Sequence, residues 1–392
     1  MTKDKLNIAV FATASLPIPP FRGYGGTQRG VYDFVKNMDE LGHQIHLFGP
    51  GDSDISNLEN TILHSCVENS LWTPENNLSI ERKSEESQKH YQKSLETLTE
   101  IDKREKLDIL NIRFDNVKII EKCKKLFGKE KIVYGLHNLT NQERIQAIQE
   151  LGIQCVAHCR NHREQYNSLP NIKVITYGID VPSYPFSSET ISTTLETPEL
   201  KILQKLKEKK EDYLINLGAI GRHKGQRTCI KLAQETNYPL IIAGTPQDRK
   251  GTQKTRYFEE EVLPHVNNEN IIYFGNADEE QKKELLKYSK GFLFPSGFED
   301  TNWEEPFGRA PVEALSCGTP VISHKKGSMP EIILSGFNGY LFNNHEEAID
   351  GIKSLENISR EDCRRTAARA FDSKRVANEY EKLFYEMVEK NN

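Results

Sequence analysis

Short apolar runs rich in β-branched and aromatic residues alternate with helix-length polar segments along the whole chain. In the first half, NIAVF (7–11), QIHLFG (44–49), LDILNI (107–112), KIVYGLH (131–137), IQCVAH (153–158) and IKVITY (172–177) predict strands. Helical stretches at 27–41, 116–127 and 140–151 lie among them. After residue 200 the pattern restarts with DYLINLG (212–218), LIIAG (240–244), IIYFG (271–275), GFLFPS (291–296) and TPVIS (319–323), with helical segments at 225–237, 279–290 and 308–317. Strands of this kind alternating with helices form βαβ units and parallel sheets. The repeated pattern predicts an α/β protein of two doubly wound domains, 1–180 and 201–372. Residues 181–200, rich in Pro, Ser and Thr, read as the linker between them.

Two further segments stand out. Residues 75–106 are very polar and predict a solvated helix or helix pair at a domain surface. After Ser373, read as an N-cap, apolar residues fall at Val376, Tyr380, Leu383, Phe384, Met387 and Val388, one face of a last helix. The pattern does not say which domain that face covers.

Composition narrows the function classes. A length of 392 residues suits two domains. With 52 basic and 57 acidic side chains, the net charge of −5 disfavours bulk nucleic-acid binding. The basic cluster at 122–131 reads as a solvated helix end rather than a membrane patch. No run approaches the roughly 18 apolar residues of a membrane span. The start, MTKDKLNIAVF, reads as a first strand rather than a signal peptide, so a cytoplasmic location is expected. Seven scattered cysteines argue for free thiols. Cys155, His158, Cys159 and His162 offer four metal-ligating side chains in eight residues, but a strand-to-helix junction would splay them apart. Asp52 and Asp54 read as turn residues rather than metal ligands.

The chemistry-bearing residues lie at βα junctions. Gly25 and Gly26 follow the first strand and precede a helix. They allow close backbone approach to a phosphate at a helix N-terminus, and a tight turn explains them equally well. The G-x-G-x-x-G fingerprint of dinucleotide binding does not occur there. In the second half Gly218 opens GAIGRHKG, which sets Arg222 and Lys224 on a βα turn where they match a diphosphate. The segment 294–323, FPSGFEDTNWEEPFGRAPVEALSCGTPVIS, carries the most. Pro306, Phe307 and Gly308 bring backbone N–H groups to a helix start. Glu305 precedes that helix and Glu313 lies inside it, two carboxylates able to accept from the hydroxyls of one ligand.

EPFGRAPVEALSCGTPVIS resembles the E-x₇-E signature of the family 4 retaining glycosyltransferases, which have the GT-B fold. PIPPFRGYGGTQRG with LGHQIHLFGPGDS resembles the N-terminal segment of a bacterial subgroup, and GAIGRHKG the basic phosphate loop. VITYGID and GSMPEIILSGFNGYLF resemble the end of the N-terminal domain and the segment after the signature.

The resemblance implies two Rossmann-like domains facing across a cleft. The C-terminal one would bind a nucleotide-sugar donor such as a UDP- or GDP-hexose, and the N-terminal one a small-molecule or glycan acceptor. Glu305 would stand at the donor sugar, Glu313 at the ribose hydroxyls, and Arg222 and Lys224 at the leaving diphosphate. Gly25 and Gly26 would face the same phosphates, and His137 the donor sugar. Gly218, Phe307 and Gly308 would line the donor site, and the last helix would cross back onto the N-terminal domain. Neither metal nor cofactor is expected.

Two departures qualify this. Ala219 stands where the family phosphate loop commonly has Arg, and Gln28 where the subgroup usually has Glu. A nucleotide-sugar epimerase and a non-catalytic nucleotide-sugar-binding protein remain as alternatives. The base, the sugar, the acceptor, the oligomeric state and any peripheral membrane contact stay open.

Overall fold

In the computed structural model the described residues are 4–21, 25–73, 76, 78–137, 142–186, 206, 212–246 and 256–391. The chain divides into two compact units, one from residues 1–20, 25–178 and 373–392 and the other from 21–24 and 179–372. Most of the segment expected to be the linker, 187–200, lies outside the described residues.

The first unit runs β1 (Asn7–Phe11), α1 (Gly26–Glu40), β2 (Gln44–Gly49), β3 (Thr61–Ser65), α2 (Ile80–Glu105), β4 (Ile109–Ile112), α3 (Val117–Phe127), β5 (Ile132–Gly135), α4 (Gln142–Leu151), β6 (Gln154–Ala157), α5 (Arg160–Glu164) and β7 (Ile172–Val174). Its sheet has the order β3-β2-β1-β4-β5-β6-β7. All its pairings are parallel. Alternate residues of one strand serve opposite faces. Ala9 and Phe11 join the core under α2, α3 and α4, whereas Ile8 and Val10 join the core under α1 and the C-terminal helix. Burial on both faces is why these strands read as unbroken apolar runs.

The second unit runs β8 (Leu214–Leu217), α6 (Gln226–Thr236), β9 (Leu240–Ala243), β10 (Ile271–Gly275), α7 (Glu279–Lys287), β11 (Gly291–Phe294), α8 (Arg309–Ser316), β12 (Val321–His324), α9 (Met329–Ile332), β13 (Gly339–Phe342), α10 (His345–Lys353) and α11 (Arg360–Ala370). Its parallel sheet has the order β10-β9-β8-β11-β12-β13. The last helix, α12 (Ser373–Asn391), packs on α1 of the first unit and buries Val376, Tyr380, Leu383 and Phe384.

Three local differences from the sequence reading have physical causes. The strands β3 and β13 were not anticipated; both sit at sheet edges, where one flank is unpaired and the apolar signal is short. The polar stretch 75–106 yields one long helix rather than a wholly solvated one, because Leu95, Leu98 and Ile101 turn into the core. Ser373 is the first helical residue and is buried, one position inside the expected cap. Among the described residues no helix is long and apolar enough to cross a membrane.

Candidate active site

In each sheet the strand order reverses at one point, between β1 and β4 in the first and between β8 and β11 in the second. Loops leaving the carboxyl ends of strands at such a point form the binding crevice of doubly wound sheets. In the second unit those loops are 218–225 and 295–308, the segments carrying Lys224 and Glu305.

Glycines bring these loops together. Gly218 has φ 148, and a Cβ on Gly244 would stand 1.8 Å from the Gly218 carbonyl oxygen. Gly225, at φ 75, opens α6, and a Cβ there would lie 2.9 Å from Pro295. The Gln226 amide pins the turn: its nitrogen donates to Asn216 Oδ1 (3.1 Å) and the Ala219 carbonyl (3.0 Å), and its oxygen accepts from Gly221 N–H (3.1 Å).

Lys224 Nζ lies 2.5 Å from Glu305 Oε2. Ser296 Oγ–H donates to the same oxygen (3.0 Å), and the Trp303 indole N–H stands 3.5 Å from it. Glu305 Oε1 accepts no hydrogen bond from the described residues. Burial alone would raise the Glu305 pKa. The Lys224 charge and the donated hydrogen bonds outweigh burial and hold the carboxyl below its usual range. The carboxylate is therefore ionised, with one oxygen held and one available.

The backbone of Glu305 is fixed as well. Its carbonyl accepts from Ser328 N–H (3.0 Å), and a Cβ on Gly327 would sit 2.7 Å from both Glu305 N and O. Phe307 is buried with its ring edge-on to Phe371, and its carbonyl accepts from Ser328 Oγ–H (2.6 Å). Gly308, at φ 85, leads into α8 in a conformation that favours glycine, and a Cβ there would lie 2.6 Å from Met329 Cε. Glu313 is buried on α8, 3.1 Å from Lys282 Nζ.

The expected residues do not all converge. Arg222 is well exposed, 3.6 Å from Glu261, with its guanidinium 5.4 Å from the Tyr257 ring centre. It makes no contact with Glu305, whereas Lys224 does.

In the first unit Gly25 has φ 150 and lies against Pro20, and Gly26 opens α1. Gln28 donates to Ser15 Oγ (2.8 Å) and Thr13 Oγ1 (3.3 Å), fastening α1 to the loop after β1. His137 follows β5. Its Nδ1 hydrogen-bonds the Tyr177 hydroxyl, and its Nε2 turns toward Gly135, where a Cβ would be 2.6 Å away. Burial, then the positive charges of Arg113 and His162, push its pKa well down, so the imidazole is neutral.

The remaining candidates have structural partners. Asp52 accepts from Ser70 N–H and Oγ–H, and Asp54 from Ser56. Cys159 caps α5 by accepting from His162 N–H, and His158 Nδ1 lies 3.1 Å from the Ile175 carbonyl. None of the seven cysteines forms a disulfide.

Sequence reasoning did not single out Ser296, Trp303 or Lys282. The first two stand inside the segment it marked, but their spacing carries no sign of which side chains turn toward Glu305.

Comparison with known proteins bears on the fold and the family. The family model described as Glycosyl transferases group 1 matches residues 199–372. N-acetyl-alpha-D-glucosaminyl L-malate synthase of Bacillus anthracis is 24% identical over 397 residues, covering 93% of the chain and 94% of that protein. An uncharacterized 41.2 kDa protein of a cps region in Klebsiella pneumoniae is 27% identical over 185 residues, 45% of the chain and 43% of that protein. So the chain spans less than half of this second relative. Anabaena HepE, solved in complex with UDP-glucose, superposes with a TM-score of 0.70 at 16% identity, covering 97% of the chain and all of that one. At that identity the likeness speaks for the fold, two parallel-sheet α/β domains of the GT-B class. The family match lies over the unit that carries Lys224, Glu305 and Glu313, and that unit is of the group 1 glycosyltransferase type.

Proposed function

We propose that the protein is a retaining, metal-independent glycosyltransferase that moves a hexose from a nucleotide-sugar to a hydroxyl acceptor. The observation that carries this reading is the Lys224–Glu305 pair at the switch point of the second sheet, with Oε1 open. In this reading the second unit, from about residue 201 to 372, binds the donor and the first unit the acceptor. Lys224 turns to the diphosphate and offsets the charge that builds as the sugar–oxygen bond breaks. Arg222, exposed on the same turn, closes on the phosphates from outside. Glu305 Oε1 and the N–H groups at the start of α8 meet the donor sugar, and Glu313 the ribose hydroxyls. Gly218 leaves the diphosphate room, and Gly25 and Gly26 do so from the first unit. The neutral His137 offers the sugar a hydrogen bond rather than a charge. Electrostatic stabilisation of the leaving group replaces a metal, and the sugar leaves and is captured on one face. The base, within the range of UDP- and GDP-hexoses, and the acceptor, small molecule or glycan, follow from substrate screening. We further place the protein in the cytoplasm.

A thermal-shift screen of nucleotide-sugars tests donor binding. At 100 times its Kd a donor adds about 2.7 kcal/mol of stability. Glu305→Gln should keep donor binding within a few fold and lose transfer by about 10²-fold or more. The product's anomeric configuration, read by NMR, should match the donor's, and activity should persist in excess EDTA. Conversion of a donor without any acceptor would point to an epimerase. Donor binding without turnover on any acceptor would point to a binding protein. Activity lost in EDTA and restored by Mg²⁺ would overturn metal independence.

A further inference from the structure

We infer that Trp303 is a positioning residue that sets the geometry of the Lys224–Glu305 pair. The inference rests on the transferase reading for its kinetic consequence but not for its structural one. Trp303 stands in the loop between β11 and α8, where its backbone N–H donates to the Asp300 carbonyl (3.0 Å). Gly297 has φ 75, and a Cβ there would lie 2.5 Å from the Trp303 carbonyl oxygen, so the loop is folded tightly on itself. That fold aims the indole at the pair.

Three contacts follow. The indole N–H donates to Ser296 Oγ (3.1 Å), the hydroxyl that bonds Glu305 Oε2. The ring centre lies 5.3 Å from Lys224 Nζ, within cation–π range. The ring also packs edge-on against His223 at 4.7 Å, next to Lys224 in the same turn. One side chain thus touches both the donor of a bond to Oε2 and the cation paired with Oε2. Ser296 has one proton and two acceptors, Glu305 Oε2 at 3.0 Å and the His223 carbonyl at 3.2 Å. The indole N–H occupies a lone pair of that hydroxyl and orients its proton to the carboxylate. Without the indole the hydroxyl is free to turn to the carbonyl, and Glu305 keeps Lys224 alone. The carboxylate then rotates more freely, and Oε1 loses its fixed direction.

The test is Trp303→Phe, which keeps a ring and removes the N–H. Loss of one bond to a charged group predicts a fall in kcat of about tenfold or more, with the acceptor KM little changed. The acid limb of the kcat/KM profile should move toward neutral pH, because Glu305 loses support for its ionised form. Trp303→His, which retains a ring N–H, should recover part of the rate. A Trp303→Phe enzyme with wild-type kcat and an unmoved acid limb would overturn the inference.

A second measurement needs no turnover. The chain has 2 tryptophans, so in a Trp72→Phe background the fluorescence of Trp303 reports alone. It should show an acid titration step that disappears in Glu305→Gln. A step that persists there, or no step at all, would overturn the inference. Failure of every donor to turn over, with that step present, would reject the transferase reading and leave the position of Trp303 standing.

Discussion

The Lys224 ammonium and the Glu305 carboxylate meet at 2.5 Å although 81 residues separate them in the chain. The pair joins the loops after β8 and β11, which are neighbours in the sheet but not in sequence. Both side chains are largely buried, at 18% and 13% exposure. Removing either one therefore strands the other away from water.

Lys224→Met should destabilise the second unit by about 1–3 kcal/mol at pH 7, read by urea or thermal melts. The loss should shrink in acid. The Glu305 carboxyl titrates lower in the folded protein than its ordinary value of 4.5. Its contribution is thus complete above that value and lost as pH falls through the folded one. A difference in melting temperature that is equal at pH 7 and pH 3 would contradict the pairing.

Gly327→Ala tests the backbone under the same carboxylate. Gly327 has φ 60, and its Cβ would press on Glu305 N and O at 2.7 Å. The conformation alone costs about 1–2 kcal/mol, and relief must come from moving Glu305. Stability and transfer should fall together, whereas an alanine at the exposed position Gly336, with open space around it, should cost stability and spare activity.

A histidine pair contributes to the acid sensitivity of the first unit. His64 stacks on Phe48, its Nε2 lies 2.9 Å from His46 Nδ1, and its pKa is pushed down to about 4. Burial is the main cause, with the His46 charge next. Between pH 6.5 and about 4 the unfolded chain takes up a proton at this site that the folded chain does not. Stability should therefore fall as pH drops through that window. His64→Gln should flatten part of this slope in melts recorded from pH 7 to pH 4.

The C-terminal helix should be essential to the first unit. The Tyr380 ring is buried, edge-on to Phe34 at 5.0 Å and 4.9 Å from the Arg113 guanidinium. Tyr380→Ala should cost about 3–5 kcal/mol and lower the unfolding transition of the first unit in calorimetry, with little change in that of the second.

Much of the fold was legible because parallel strands buried on both faces announce themselves as apolar runs. NIAVF and QIHLFG matched their strands end to end. TILHS and GYLF did not announce themselves, since an edge strand needs apolar residues on fewer sides. In the candidate site the spacing of Glu305 and Glu313 was visible, because both belong to one short segment. Their partners were not: Lys282 reaches Glu313 from α7, and Ser296 and Trp303 reach Glu305 through a loop whose path depends on Gly297.

Local pattern was enough for the interior strands, for two parallel-sheet α/β units and for setting Glu305 and Glu313 in one segment. These are properties of near neighbours in the chain, where periodicity of two or 3.6 residues reads out burial directly. Three-dimensional packing chose which charges meet. Arg222 and Lys224 are two residues apart and chemically alike, yet one leans out to Glu261 while the other turns in to Glu305. That choice follows from the left-handed turn at Gly225 and the placement of β11 beside β8, which no spacing along the chain encodes.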